Sequence, residues 1–388
     1  MSIDTNPPTD PIHDGSSQSE HSRFMPHGSR EGASPEDTSS TTPPANLSYG
    51  NPEALSSPAA PPTEDPFGES LSTEAARIQA AVSRIKAELG KVIVGQDALI
   101  ELMIAALLTN GHVLIEGVPG IAKTLTSKLL AQSIKVGFAR IQFTPDLMPT
   151  DIIGTTVFDM NRSEFHFKKG PIFSQVVLID EINRAPAKTQ AALMEVMEEE
   201  QVTVDGHTYP VEPPFFVVAT QNPVEQEGTY KLPEAQLDRF MFKLHARYPS
   251  LAEETAMLDR FRNDFYGRQQ RNVQPVIDAA ELLEHRACVE AVHIKDPLLH
   301  YIASIVAGTR NNSDLYLGAS PRASINILKA SKALALMRGR SFVTPDDIKD
   351  SVYPVLNHRL ILSYDREIEG VEMKDVIEGI LRKVEVPR

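Results

Sequence analysis

The sequence predicts an α/β protein in which a parallel sheet, covered by helices on both faces, is followed by a mostly helical C-terminal segment. Three observations carry this. Residues 112–116, 140–143, 175–180 and 214–220 form short apolar runs that read as buried strands. Segments of helical character lie between them, one from about Lys123 and one over about 188–199. Strands and helices alternating in this way imply a parallel sheet with crossover helices. Beyond about Tyr248 the character changes, and residues 251–265, 297–309, 323–337 and 345–351 all suggest helices.

The first helix is expected from Ser72, placed to cap it, to Gly90, because Ile78, Val82, Ile85 and Leu89 recur at helical spacing. A second runs over about 98–110. Two hairpins interrupt the α/β pattern. Residues 155–167 alternate apolar and polar around Asn161-Arg162-Ser163, and 202–211 alternate around the turn signal Asp205-Gly206. The expected organisation is a tail over 1–70, an α/β domain over 71–247 and a helical domain over 248–388, with no internal repeat.

The tail is dense in Pro, Ser, Thr, Asp and Glu and poor in Ile, Val and Leu. Such a segment buries too little apolar surface to offset its ordering entropy, so it is expected to be disordered. It is either a solvating spacer or a docking or phosphorylated tail. The 388-residue chain has a net charge of -14, and much of this sits in the tail, where eleven acidic residues face two arginines. An acidic balance argues against non-specific binding to nucleic acid or anionic membranes. A single cysteine, Cys288, excludes an internal disulfide and Cys-rich zinc sites, and it is expected to be inert. There is no long apolar run and no signal-peptide pattern, so a cytoplasmic protein without a membrane span is expected.

Gly117-Val118-Pro119-Gly120-Ile121-Ala122-Lys123-Thr124 follows a strand and opens a helix. In that context a glycine-rich loop closes its backbone N–H groups around phosphates at the positive end of a helix dipole. Lys123 would reach the β and γ phosphates of ATP, and the Thr124 hydroxyl would ligate Mg²⁺. Ala122 stands where a final glycine is usual. As the smallest substitution it should still let the loop close.

An apolar strand then ends in Asp180-Glu181, about 55 residues past the loop lysine. Carboxylates at the C-terminal edge of a strand sit where open α/β sheets bind ligands. Asp180 would hold the hydrated Mg²⁺, and Glu181 would act as base on the attacking water. A third apolar strand ends at Asn222-Pro223. Asn222 either positions that water without adding charge or simply begins a turn.

These motifs together resemble the MoxR family of AAA+ ATPases. The resemblance covers about 75–388 and rests on Val94-Gly95-Gln96, the loop with its Ala122, Ile179-Asp-Glu-Ile-Asn-Arg184-Ala-Pro186, Ala219-Thr-Gln-Asn222-Pro223, Glu234-Ala-Gln-Leu-Asp-Arg239-Phe240 and Gly318-Ala-Ser-Pro-Arg322. It implies that Gly95 and Gln96 lie near adenine and that Asn222 is a sensor of the lytic water. It further implies that Arg239 is an arginine finger acting on a neighbouring subunit and that Arg322 is a second sensor on a helical lid. The two hairpins correspond to the insert of this clade and to the hairpin preceding the first sensor. Family members assemble as hexameric rings and act as chaperone-like remodellers, often beside a partner with a metal-binding von Willebrand A domain.

Arg184 either faces a neighbouring subunit or solvates its loop. His112, at the edge of the first strand, reads as structural. The expected function is a ring ATPase that remodels or activates a client protein. The alternatives are a magnesium-chelatase-like motor subunit and a nucleic-acid motor. The second is weakened by an insert with only Arg162, Lys168 and Lys169 nearby.

Overall fold

The computed structural model describes residues 66–118, 120–223, 229–262 and 272–387. The expected disordered tail falls almost wholly on 1–65, outside the described residues, as does Pro119 of the loop.

In chain order the elements are α1 (Pro66–Gly90), α2 (Asp97–Leu108), β1 (Val113–Glu116), α3 (Lys123–Ser133), β2 (Phe138–Gln142), α4 (Pro149–Ile153), β3 (Gly154–Asp159), β4 (Glu164–Lys169), β5 (Val176–Asp180), α5 (Ala187–Glu199), β6 (Gln201–Val204), β7 (His207–Pro210), β8 (Phe216–Gln221), α6 (Glu234–Leu237) and β9 (Phe242–His245). There follow α7 (Leu251–Phe261), α8 (Ala279–Ala291), α9 (Asp296–Arg310), β10 (Leu315–Leu317), α10 (Pro321–Met337), α11 (Pro345–Leu356), β11 (Ile361–Leu362), α12 (Tyr364–Ile368) and α13 (Met373–Lys383). Ser72 lies inside α1, which begins at Pro66 rather than at a Ser72 cap. A proline opens a helix without loss, because the first-turn amide has no intrahelical acceptor.

Five strands form one parallel sheet in the order β2-β5-β8-β1-β9. Side chains alternate between its faces, and both faces are buried. Val177 and Ile179 of β5, Val217 and Ala219 of β8 and Leu114 of β1 join Leu193, Met194 and Met197 of α5 in one apolar cluster. Val176, Leu178, Val218, Val113 and Ile115 face the other way. They join α1, α2 and α3 in a second cluster that continues without a break into α8, α9, α10, α11 and α13. The C-terminal helices are thus packed on the same core as the sheet.

Both expected hairpins form. Residues β3 and β4 pair from Gly154↔Lys169 to Asp159↔Glu164, and β6 and β7 close at Val204↔His207. The second turn holds Asp205 at φ 50° and Gly206 at φ 77°, which is the left-handed pair a two-residue hairpin needs. Phe167 stacks on Tyr209 at 4.3 Å, and Thr156 Oγ1 donates to Asp205 Oδ2 at 2.6 Å, so the hairpins support each other.

Candidate active site

The loop between β1 and α3 sits at the C-terminal edge of the sheet. Gly120 has φ 88° with open space where a Cβ would stand, and Ala122 takes the left-handed conformation at φ 62° as the residue before α3. The loop therefore closes despite the alanine, at a conformational cost of about 1 kcal/mol that glycine would not incur. Lys123 Nζ donates to Gly117 O at 2.5 Å, across the mouth of the loop.

One cavity is lined by Gly120, Ala122, Lys123 and Thr124 from this loop, Arg140 and Gln142 from β2, Asp180 and Glu181 after β5, and Thr220 and Asn222 at the end of β8. Adjacent parallel strands deliver these side chains to one edge. Thr124 Oγ1 lies 3.4 Å from Asp180 Oδ2. A hydroxyl and a carboxylate so close are hard oxygen donors of the kind Mg²⁺ takes. Asp180 also accepts from Arg140 Nε at 2.6 Å and from Thr220 Oγ1 at 3.1 Å. Glu181 has φ 58°, an uncommon conformation for a non-glycine residue, and its amide donates to Thr220 Oγ1 at 3.1 Å. Its carboxylate accepts from Gln142 Nε2 at 2.7 Å and pairs with Arg184 Nε at 3.1 Å. Arg184 thus turns back onto the Glu181 carboxylate of its own chain.

Gly95 and Gln96 lie beside the loop's base and not on the cavity itself. Gln96 Nε2 donates to Arg247 O, and the preceding Ala246 donates its amide to Glu116 O. A Cβ at Gly95, where φ is 74°, would be strained and would meet the Glu253 carboxyl at 2.6 Å, so a side chain there would have to displace the carboxylate that caps the start of α7. Below the loop, Lys243 and His245 approach Glu116 Oε2 at 2.9 and 3.3 Å. Burial alone would raise the Glu116 carboxyl, but these partners hold it down at about 2.

The two remaining candidates lie elsewhere. Arg239 Nη2 pairs with Glu198 Oε2 at 2.8 Å, and its Nη1 donates to Met194 O at 2.6 Å. Arg322 Nη2 pairs with the other oxygen of the same carboxylate, Glu198 Oε1, also at 2.8 Å. Both arginines border a cavity with Asn110, Gly111 and His112, at the N-terminal end of β1. The chain from His112 to Gly117 spans about 16 Å of extended strand, so the arginines and the lysine loop occupy opposite edges of the sheet. His112 is buried. Its Nδ1 accepts from the Val217 amide at 3.1 Å, and its Nε2 lies 3.1 Å from Met197 O. Burial holds this imidazole neutral, with a pKa of about 4, in keeping with the structural role expected of it.

Comparison with known proteins gives this arrangement a family. Residues 112–242 match the ATPase family associated with various cellular activities (AAA), and residues 307–380 match an AAA lid domain. Chaperone MoxR1 of Mycobacterium tuberculosis is 42% identical over 341 residues, which cover 85% of this chain and 88% of that protein. The chain belongs to the MoxR family of AAA+ ATPases. The uncharacterized protein YeaC of Bacillus subtilis is 46% identical over 299 residues, covering 77% of this chain and 92% of that one. A crystal structure of a protein from Cytophaga hutchinsonii superposes with a TM-score of 0.76 at 43% identity, covering 82% of this chain and 99% of that one. Family membership makes the chain an ATP-binding enzyme that hydrolyses ATP. No helix among the described residues is long and apolar enough to cross a membrane.

In this MoxR-family chain several residues around the sites carried no sequence signal. Arg140 and Gln142 alternate on β2 as ordinary outward-facing strand residues. Glu198 stands in an acidic run that reads as a solvated helix end. Arg359 is fully buried beside Asp238, 121 positions away. The only hint at Arg359 is its place between His358 and apolar Leu360.

Proposed function

We propose that the chain works in a ring, hexameric by resemblance, in which each subunit binds ATP at its own lysine loop and receives Arg239 and Arg322 from a neighbour. The observation that carries this is the separation of the two sets. Lys123, Thr124, Asp180, Glu181 and Asn222 share one edge of the sheet, while Arg239 and Arg322 share one carboxylate at the other. A ring joins the two edges of adjoining subunits.

Within that reading Lys123 meets the β and γ phosphates, and backbone amides of the loop close around them. Thr124 and Asp180 would hold Mg²⁺. When bound, the ion neutralises phosphate charge. Glu181, steadied by Gln142 and Arg184, takes the proton of the attacking water, which Asn222 orients. Arg239 and Arg322 stabilise charge that develops on the transferred phosphoryl group.

The work done with this hydrolysis is the remodelling of a client protein, in the manner of a chaperone. The β3–β4 hairpin supports a polypeptide client. It exposes Phe158, Met160 and Phe165, the last at 73%, with Phe158 and Phe165 in contact at 5.0 Å. Apolar side chains at a hairpin tip suit a protein surface better than a phosphate backbone. A partner with a von Willebrand A domain follows from the resemblance alone.

Two measurements test the reading. Specific ATPase activity should rise steeply with protein concentration, in step with assembly seen by sedimentation. Constant turnover from a monomer would overturn the ring. Affinity capture on the Glu181→Gln chain with ATP should retain a protein client, and retention of DNA in its place would favour the nucleic-acid motor.

A further inference from the structure

Glu198 lies in the last turn of α5, and Arg322 lies in the first turn of α10. Each charge is at the wrong end of its helix, because the dipole disfavours an anion at the C-terminus and a cation at the N-terminus. The two meet at 2.8 Å, and Arg239 meets the second oxygen of the same carboxylate at the same distance. One negative charge therefore serves two arginines from different parts of the chain. Glu198 is itself partly exposed, so the group can be reached from solvent. The carboxylate occupies guanidinium N–H groups that a phosphate would need, since carboxylate and phosphate compete for the same donors.

We propose that Glu198 is a latch that holds Arg239 and Arg322 together when no neighbouring nucleotide is present and yields them to its polyphosphate. The inference rests on the reading that both arginines act on the adjoining subunit. A polyphosphate carries more negative charge than one carboxylate, so it wins the competition, but only after the latch has opened. The opening cost reduces the apparent affinity of the ring for ATP, as for any ligand whose binding-competent state is fractionally populated. It also makes the arginines enter and leave the interface as a pair.

The test uses the full chain with Glu198→Gln, which keeps the shape of the side chain and removes its charge, and Glu198→Asp, which keeps the charge on a shorter stem. Two partly exposed ion pairs compete weakly, so Glu198→Gln should lower the half-saturating ATP concentration roughly three- to tenfold. Turnover at saturating ATP should fall much less than it does in Arg239→Ala. The Asp variant should stay closer to wild type. The affinity gain should vanish when Glu198→Gln is combined with Arg239→Ala and Arg322→Ala, measured by binding of a fluorescent ATP analogue. A side chain that merely holds the fold would instead lower turnover and melting temperature together and leave half-saturation unchanged or raised, and that result overturns the latch. If Arg239→Ala alone turns over at the wild-type rate, the underlying reading fails. If Arg239→Ala is inactive and Glu198→Gln leaves half-saturation where it was, the latch alone fails.

Discussion

Arg359 donates through Nε to Asp238 Oδ1 at 2.6 Å, which ties the segment after α11 to the residue immediately before Arg239. The same guanidinium donates to the carbonyls of Asp238 at 2.8 Å, Phe240 at 2.6 Å and Met241 at 3.2 Å. Ser320, two residues before Arg322, donates to the other oxygen of Asp238 at 3.0 Å. The turn that carries Arg239 is therefore built on C-terminal residues, and the start of α10 shares its anchor. Arg239 and Arg322 belong to one connected unit.

Asp238→Asn should expose the cost of that construction. The Arg359 side chain is only 1% exposed, so the substitution leaves a buried cation without its counter-charge. Loss of about 3 kcal/mol of stability is expected, the lower end for breaking a buried pair. Urea unfolding of the two chains measures it. A change within a few tenths of a kcal/mol would mean that the backbone carbonyls alone satisfy the guanidinium.

Much of the site was legible because its residues close apolar strands. Asp180-Glu181 ends β5, and the loop glycines end β1, so composition and position coincide there. The expected helices of the α/β part appear close to their bounds, except that α1 starts at Pro66, well before the expected Ser72 cap. What was not legible depends on tertiary pairing. Strand β9 is four residues long and mixes Phe242 and Leu244 with Lys243 and His245, and its place at the sheet edge comes from pairing with β1. Helix α8 lacks a strong apolar stripe and is set by packing on α1 and α2. The partnership of Glu198 with Arg322 joins residues 124 positions apart and leaves no local pattern. Motif order could name Arg322, but only the fold places it at the opposite edge from Lys123.

Lys123→Ala and Glu181→Gln should separate binding from chemistry. On the proposed roles, the first removes the cation that would meet the β and γ phosphates, so ATP affinity should collapse. The second keeps the contacts to Gln142 and Arg184 in outline but removes the base. Turnover should drop by roughly a hundred- to ten-thousand-fold while ATP binding persists. A fluorescent ATP analogue reads binding and phosphate release reads turnover. Wild-type turnover in Glu181→Gln would remove Glu181 from the base role.

Acid should destabilise the fold before its carboxylates titrate. His112 sits at about 4 against an ordinary 6.5, mainly through burial, and burial also lowers His285 and takes His358 well down. A depressed folded-state pKa means that the unfolded chain binds protons first. The stability is therefore complete above pH 6.5 and is lost as pH falls from there toward 4. His112 accounts for a loss on the order of 3 kcal/mol across that window. Glu116, held at about 2, adds its own loss only below about 4.5. Denaturant unfolding at pH 7.5, 6.5 and 5.5 should show the slope. His112→Gln, whose amide can accept from Val217 and donate to Met197 without titrating, should flatten it. An unchanged slope in that variant would assign the acid sensitivity to the other two histidines.

Mixed rings test which subunit each arginine serves. Arg239→Ala and Arg322→Ala should each still fill with ATP at saturating concentration, with at most a modest loss of affinity, and hydrolyse it poorly, because cations that act on the transition state contribute more to the chemical step than to ground-state binding. Lys123→Ala cannot hold nucleotide but keeps both of its own arginines. When an Arg239→Ala subunit holding ATP adjoins a Lys123→Ala neighbour, that neighbour supplies the missing guanidinium, and some activity should return although neither variant is active alone. The same mixture with Arg322→Ala is the sharper case. A second sensor acting within its own subunit would still be missing from the one subunit that binds ATP, so mixing would restore nothing. The pairing of Arg322 with Arg239 on Glu198 predicts recovery in both mixtures. Recovery with Arg239→Ala and none with Arg322→Ala, in rings proven to be mixed, would return Arg322 to its own subunit's nucleotide, whereas full activity of Arg239→Ala by itself would remove that residue from catalysis.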